Sequence, residues 1–328
     1  METLEETELC FPQLTNTSCR KIQRSHFAAI PIYIILSSIS LLTATLNLLV
    51  IISISHFKQL HTPTNLLLLS LAVSDFFIGL LMLIQIMLID GCWYLGDLMC
   101  ALVLVFDYII SSASVGNMVL ISVDRYVAIC EPLHYSTKVT EKRVQVCIYL
   151  CWICSVIFHS LVMKDILKPL GQYNSCIGEC VYLIHYIAGI ADLLLTFIFP
   201  ITAIIVLYMR VLVVAVSQAR AMRSQIAAVP LKQVKVTAKK SELKAARTIG
   251  VLVVVFLVCL CPFYCVALTG QDNLMNASSA AFFIYLYYFN SCLNPLIYAL
   301  FYPWFRKSIK LIVTLKILQT DSCEANIL

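Results

Sequence analysis

Charged side chains are scarce in this chain, and their scarcity excludes an ordinary water-soluble domain. Asp, Glu, Lys and Arg make up 12% of the 328 residues, while hydrophobic residues make up 61% and the mean hydropathy is +0.90. Soluble globular domains carry about 25% charged and about 45–50% apolar residues. The composition therefore predicts a membrane protein.

The motifs of common enzyme classes are also missing. The sequence contains no HExxH zinc spacing, no glycine-rich phosphate-binding loop and no nucleophile elbow. Its first ten residues, METLEETELC, are acidic, whereas a cleavable signal peptide would begin with basic residues. We therefore expect a protein that is not an enzyme, and an N-terminus that crosses the membrane together with the first apolar helix.

Seven stretches are long and apolar enough to span a bilayer core, which requires about 20 helical residues. They lie approximately at 27–55, 64–89, 97–130, 144–163, 182–216, 243–269 and 278–301. The sequence thus predicts an all-α membrane protein, with a seven-helix bundle over residues 27–302 after an N-terminal segment, 1–26. Apolar residues at helical spacing over 304–315 predict a short amphipathic helix in the membrane interface, at 303–315. A tail, 316–328, follows.

The distribution of basic residues predicts the orientation. Of the 23 lysines and arginines, 18 fall on one side and five on the other. The positive-inside rule then places the N-terminus outside the cell and the C-terminus inside. The glycosylation sequons at Asn16 and Asn276 both fall on the predicted outer side. The basic inner connection at 217–240 is either a solvated loop near anionic lipid or a docking surface for a cytosolic partner.

Cysteines indicate disulfide bonds on the outer side. The chain has 15 cysteines, and six of them fall outside by this topology. These six are Cys10, Cys19, Cys92, Cys100, Cys176 and Cys180. Six cysteines in an oxidising compartment predict three disulfides, for which 15 connectivities are possible.

Two acidic residues interrupt the third apolar stretch, Asp107 and Asp124. An isolated Asp at the centre of a bilayer costs about 2.5–3.5 kcal/mol on insertion scales. Asp124 is next to Arg125, but the segment has no basic residue close to Asp107. Asp107 and Arg125 are 18 positions apart, which is five helical turns, so they share one face about 27 Å apart. Asp107 either binds a cation or is satisfied by Tyr or Ser hydroxyls.

Intramembrane acids also mark ion pathways, so a cation transporter or channel is the alternative from another functional class. The odd number of spans and the lack of two similar halves argue against it.

A family resemblance rests on motifs in six of the spans. The third carries Asp124-Arg125-Tyr126 at its inner end, and the seventh carries Asn294-Pro295-Leu-Ile-Tyr298. Four other spans contribute one residue each, Asp75, Trp152, Pro200 and Pro262. Together these features resemble the rhodopsin-like (class A) G-protein-coupled receptors over essentially the whole chain. The run NSCLNPLIYALFYPWF at 290–305 resembles the seventh-helix signature of the trace amine-associated receptors, and the chain is similar to the diamine-sensing members typical of fish.

This resemblance implies an amine-binding site. Asp107 matches the position that holds the ligand ammonium in aminergic receptors, and Tyr288 matches the residue that orients this acid. Asp192, two turns before Pro200, adds a second carboxylate with Thr196 one turn below it, which suits a ligand with two cationic ends. Aromatic residues would contact the ammonium through cation–π interactions. Those assigned to the site are Tyr108, Phe263, Tyr264 and Tyr285.

Two alternatives stay open at this point. The receptor could bind a monoamine through Asp107 alone, and Asp192 could face loop water. The resemblance also implies coupling to a stimulatory G protein, a rise in cyclic AMP and expression in olfactory neurons. The expected partners are the amine, the G protein and membrane lipids, without nucleic acid.

The resemblance further implies a sodium pocket and an activation switch. Asp75, Ser114, Asn290 and Asn294 would hold the ion, or form a purely hydrogen-bonded network. Arg125 would pair with Glu242 in the inactive state, and Tyr208 and Tyr298 would stabilise the open form, with Pro262 in the moving helix. Two positions depart from the family pattern: Leu260 replaces the usual Trp, and Leu46 precedes Asn47 where Gly is usual.

The resemblance also implies disulfide pairings. The expected bonds are Cys100–Cys180, Cys10–Cys176 and Cys19–Cys92.

Overall fold

The structure is a computed structural model of a helical bundle. It describes residues 8–22, 26–164, 174–180, 185–228, 250–265, 277–319 and 322–327. In this part of the chain β-structure is limited to two isolated β-bridges, Leu9–Arg20 and Ser18–Ile177. The all-α fold class predicted from the sequence is therefore confirmed.

The helices follow the order of the predicted spans. They are α1 (His26–His56), α2 (Pro63–Gln85), α3 (Gly96–Cys130), α4 (Glu141–Val162), α5 (Tyr186–Ala228), α6 (Gly250–Cys265), α7 (Ala277–Phe301) and α8 (Pro303–Val313). Helix α5 has three consecutive parts, Tyr186–Asp192, a π-helical segment Leu193–Ile198, and Phe199–Ala228. Among the described residues, α1 to α5 are long and apolar enough to cross a membrane, whereas the described part of α6 is shorter.

Polar side chains determine where α2 and α4 begin. The Thr62 hydroxyl accepts a hydrogen bond from the backbone N–H of Asn65, at 3.3 Å, and Pro63 occupies the first helical position. The Thr140 hydroxyl accepts from the N–H of Arg143 at 3.4 Å. Both hydroxyls satisfy N–H groups that have no partner within the helix.

Helices α1 and α2 approach each other closely at Gly79. A Cβ atom on Gly79 would lie 2.8 Å from the backbone nitrogen of Ala44 and 3.2 Å from the carbonyl oxygen of Ser40. Asn47, which is fully buried on α1, donates from Nδ2 to the carbonyl oxygen of Ser291 on α7 at 3.0 Å. A small residue and one buried amide thus hold α1 against two neighbouring helices.

The N-terminal segment folds over the end of the bundle that carries Asp107, and disulfides fix it there. The expected bond Cys100–Cys180 is present. The expected bonds Cys10–Cys176 and Cys19–Cys92 are wrong, because the structure pairs the cysteines as Cys10–Cys92 and Cys19–Cys176.

Backbone hydrogen bonds explain the observed pairing. The N–H of Cys10 donates to the carbonyl oxygen of Cys19, and the N–H of Cys19 donates to that of Ile177, both at 2.9 Å. The second bond places Cys19 beside Cys176, with a Cα–Cα distance of 5.0 Å. Cys10 then lies 5.6 Å from Cys92, also measured between Cα atoms, and both distances suit a disulfide.

At the opposite end, the tail after α8 folds back beneath α1. His56 Nε2 lies 3.0 Å from Ser322 Oγ, and Lys58 forms an exposed ion pair with Glu324 at 3.1 Å. Ile327 is buried in the main hydrophobic core. Because an exposed ion pair contributes little, burial of the isoleucine is the larger stabilising contribution.

Candidate functional site

Asp107 on α3 is a buried carboxylate with one oxygen satisfied. The Tyr288 hydroxyl on α7 donates to Asp107 Oδ2 at 2.7 Å, and Gln85 of α2 lies next to this pair. The second oxygen, Oδ1, is buried without a hydrogen-bond partner among the described residues. The Tyr288 hydroxyl therefore bonds to one carboxylate oxygen, and the other oxygen is able to accept a hydrogen bond from a cation.

Aromatic rings of α5, α6 and α7 form a cluster near Asp107. Tyr264 of α6 stacks on Phe197 of α5 with ring centroids 4.0 Å apart, and Phe263 lies 5.4 Å from Tyr287 of α7. The Tyr264 hydroxyl lies within electrostatic range of both Asp107 and Asp192. These rings can stabilise a bound ammonium through their faces.

Two further predicted aromatic residues lie at the margins of this cluster. The Tyr108 ring is 5.7 Å from the ring of His159 on α4. Tyr285 packs against the buried cluster of Leu36 on α1 and Ile86 and Ile89, which directly follow α2.

Asp192 on α5 lies at the start of an irregular helical turn. The π-helical segment Leu193–Ile198 follows it directly, and the buried Thr196 hydroxyl donates to the Asp192 carbonyl oxygen at 2.7 Å. The Asp192 side chain is 15% exposed. Its Oδ1 atom is buried and, within the described ranges, accepts no hydrogen bond.

His159 is a polar residue of this region that the sequence reasoning missed. Its Nδ1 lies 3.9 Å from Asp192 Oδ1, and its side chain is 1% exposed. Neither ring nitrogen has a hydrogen-bond partner in the described part of the chain. One signal could have identified it, since it is a single histidine in the mostly apolar run WICSVIFHSLV of α4.

Asp75 lies deeper, in a polar cluster that joins α2 to α7. Ser291 donates to its Oδ1 at 2.8 Å and Asn294 donates to its Oδ2 at 2.7 Å. Ser114 of α3 also interacts with this carboxylate, and Asn290 is buried nearby on α7. Ser291 is a member of this cluster that the sequence analysis did not identify.

The donor set around Asp75 suits a small monovalent cation. The amide oxygens of Asn290 and Asn294 are buried and unpartnered among the described side chains. The cavity that Ser114, Asn290 and Ser291 help to line has room for about one water, at about 10 Å³. Carboxylate, amide and hydroxyl oxygens are hard ligands, and the single acidic group fits one positive charge better than two.

Arg125 and Asp124 form the polar cluster at the opposite end of α3. The Arg125 Nε donates to Asp124 Oδ2 at 2.9 Å, and the Tyr135 hydroxyl donates to Asp124 Oδ1 at the same distance. Thr64 of α2 contacts both members of the pair.

In the loop after α3, a hydrogen bond from Lys138 holds the pKa of Glu131 below its usual value.

The remaining switch residues occupy the same half of the bundle. Tyr126 and Tyr208 pack together with Ile129 and Val211 between α3 and α5. Tyr298 is buried on α7, and its hydroxyl has no hydrogen-bond partner among the residues described.

Four other predicted residues lie outside these clusters. Pro262 lies within α6, directly before Phe263 and Tyr264. Asn16 is exposed on the N-terminal segment, as a glycosylation site must be. Glu242 and Asn276 lie outside the described residues.

Comparisons with known proteins agree with this architecture. The sequence profile of the seven-transmembrane receptors of the rhodopsin family matches residues 46–298. The chain is 37% identical to trace amine-associated receptor 13c of Danio rerio, over 98% of this chain and 97% of the relative. It is 36% identical to trace amine-associated receptor 1 of Mus musculus, over 96% and 98% of the two chains. It is 38% identical to trace amine-associated receptor 9 of Homo sapiens, over 98% and 95%.

Proposed function

Because this chain belongs to the rhodopsin family of seven-transmembrane receptors and, within it, to the trace amine-associated receptors, we propose that it binds amines between α3, α5, α6 and α7. Members of this family are multi-pass plasma-membrane receptors that act on heterotrimeric G proteins. The chain is accordingly a receptor rather than an enzyme, and the transporter or channel alternative is set aside. The N-terminus lies outside the cell in this proposal.

The observation that carries the proposal is the half-satisfied carboxylate of Asp107. Tyr288 fixes one oxygen, and the buried Oδ1 can accept from a ligand ammonium. Hydrogen bonds between ions are roughly twice as strong as neutral ones. Burial of a lone carboxylate is unfavourable, so arrival of a cation compensates a cost that the empty site carries.

Asp192 supports a ligand with a second positive charge. In the described part of the chain, neither Asp107 nor Asp192 forms an ion pair with lysine or arginine. The Tyr264 hydroxyl lies within electrostatic range of both acids, so the two carboxylates belong to one region of the bundle. An α,ω-diamine would supply one ammonium to each carboxylate, so we assign diamines or polyamines as the ligand class.

A monoamine that uses Asp107 alone is the second candidate. It would be favoured if His159 were protonated, because the imidazolium would give Asp192 a positive partner inside the protein. However, His159 Nδ1 and Asp192 Oδ1 are 3.9 Å apart, which is too far for a direct hydrogen bond, so the geometry supports the diamine proposal instead.

A dose–response series tests the proposal in transfected cells. Diamines of increasing length are compared with monoamines of the same chain length, with cyclic AMP as the readout for a stimulatory G protein. A chimeric Gα subunit in parallel reports activation through other G proteins. We expect Asp107→Asn to weaken both ligand classes. Asp192→Asn should weaken the diamine about 10- to 100-fold and leave the monoamine unchanged, as expected for loss of about 1.5–3 kcal/mol from one charged hydrogen bond.

Asp97→Asn is the matched control, since Asp97 is exposed at the start of α3 and accepts a hydrogen bond from Asn174 at 3.2 Å. If Asp192→Asn leaves diamine potency unchanged, the monoamine candidate replaces the diamine one.

A further inference from the structure

Three buried polar atoms on α4 and α5 lack hydrogen bonds in the described part of the chain. They are both ring nitrogens of His159 and Oδ1 of Asp192, and none has a partner within the residues that the structure describes. More than about 90% of buried polar groups in proteins are hydrogen-bonded. Two of these atoms, Nδ1 of His159 and Oδ1 of Asp192, lie close together beside the proposed amine site, and this pair therefore points to a ligand group that bonds to both.

The spacing of these atoms suits one shared donor. Nδ1 of His159 and Oδ1 of Asp192 are 3.9 Å apart. A nitrogen at about 2.8 Å from each atom would reach both, at an angle of roughly 90° between them. The N–H bonds of an ammonium diverge by about 109°, so small bends of two hydrogen bonds suffice.

We propose that neutral His159 is the second acceptor for the distal ammonium of a diamine, acting together with Asp192. With its proton on Nε2, the imidazole presents the Nδ1 lone pair towards Asp192. The rings of Tyr108 and Phe158 lie 5.7 Å and 5.0 Å from the histidine ring and limit its rotation. Tyr108 follows Asp107 in α3, so one helical turn supplies the first anion and a wall of the second subsite.

This inference rests on the proposed function and narrows its ligand class. Two acceptors require at least two N–H donors on the distal nitrogen. A primary ammonium has three and an N-methyl ammonium has two, whereas an N,N-dimethyl ammonium has one. All three carry the same charge, so methylation separates the number of donors from electrostatic attraction.

The experiment measures potencies of diamines that carry no, one or two methyl groups on each nitrogen. Symmetric ligands are used because a diamine methylated at one end could bind in the reverse direction. Monoamines with the same methyl groups measure how much potency is lost by methylation at Asp107 alone. The additional loss seen with diamines, the excess penalty, is assigned to the distal subsite. We expect an excess loss on the order of tenfold at the second methyl group.

The variants isolate the imidazole. His159→Phe keeps a ring but removes both nitrogens, so the unmethylated diamine should weaken on the order of tenfold and the excess methylation penalty should vanish. His159→Gln restores an acceptor and should recover part of both effects. Ser155→Ala, one turn earlier on α4, removes a buried hydroxyl that bonds to the Cys151 carbonyl oxygen and should leave the penalty unchanged. Monoamine responses of each variant report folding.

The outcomes separate this inference from the proposed function. If Asp192→Asn weakens diamines but His159→Phe retains the full excess penalty, His159 is not an acceptor for the ligand and the diamine function stands. A water that bridges His159 and Asp192 would give this result. If Asp192→Asn has no effect on diamines, the diamine function is wrong, and the role of His159 as a second acceptor is wrong with it.

Discussion

At the scale of single residues, Asp75 provides a test between an ion site and a polar network. Replacing sodium by potassium in the medium should change agonist potency of the wild type about fivefold or more if the ion and the agonist are coupled. Asp75→Asn removes the charge and keeps one oxygen that can accept from Ser291, while its new amide donor can bond to Asn294 once the Asn294 amide turns its oxygen towards it, so this sodium effect should disappear. Radioligand competition in the two media measures it. A wild type that is insensitive to sodium would favour the network.

The sequence identified some of these residues because a charge in an apolar run is costly. Asp107, Asp192 and Asp75 stand out for this reason, and the family resemblance supplied Tyr288 as the partner of Asp107. His159 and Ser291 were missed because serine is neutral and histidine can be neutral, so neither requires a charged partner as an aspartate does. Their significance depends on contacts with another helix, His159 with Asp192 and Ser291 with Asp75.

At the scale of helices, the contact of α1 with α2 at Gly79 is sensitive to a single methyl group. Gly79→Ala would place Cβ 2.8 Å from the Ala44 backbone nitrogen, and backbone cannot be shifted without separating the helices. We expect a loss of about 1–3 kcal/mol in the free energy of unfolding, seen as a lower melting temperature of the purified receptor. The control is Gly116→Ala, whose Cβ would meet only the Cys151 side chain among described atoms within 4 Å.

Cys151→Ala should restore the stability of Gly116→Ala, whereas trimming side chains should not restore Gly79→Ala. Equal stability of Gly79→Ala and the wild type would mean that α1 and α2 are farther apart than in this structure.

The helices themselves were largely predictable, because long apolar runs determine where a chain can cross a membrane. Helix α8 was expected at 303–315 and is observed at Pro303–Val313. The π-helical segment of α5 was not predicted. In this segment the Thr196 hydroxyl donates to the Asp192 carbonyl oxygen, so a side chain and the backbone compete for the same acceptor. Such competition does not change the hydropathy of the run, and hydropathy therefore could not predict it.

For the whole molecule, the disulfides fix the N-terminal segment over the amine-binding end, and double replacements test their pairing. Cys10→Ser and Cys92→Ser remove the same bond, so the double variant should lose no more receptor stability than either single variant, about 2–5 kcal/mol. Cys10→Ser with Cys176→Ser breaks two bonds and should lose more. Melting temperature and surface expression measure both. If Cys10 and Cys176 instead behave as the non-additive pair, the pairing first expected from the family resemblance is restored. The sequence could not decide this, because fifteen pairings share one set of cysteines, and the backbone bonds of Cys10 and Cys19 that favour the observed pairing form only in the folded chain.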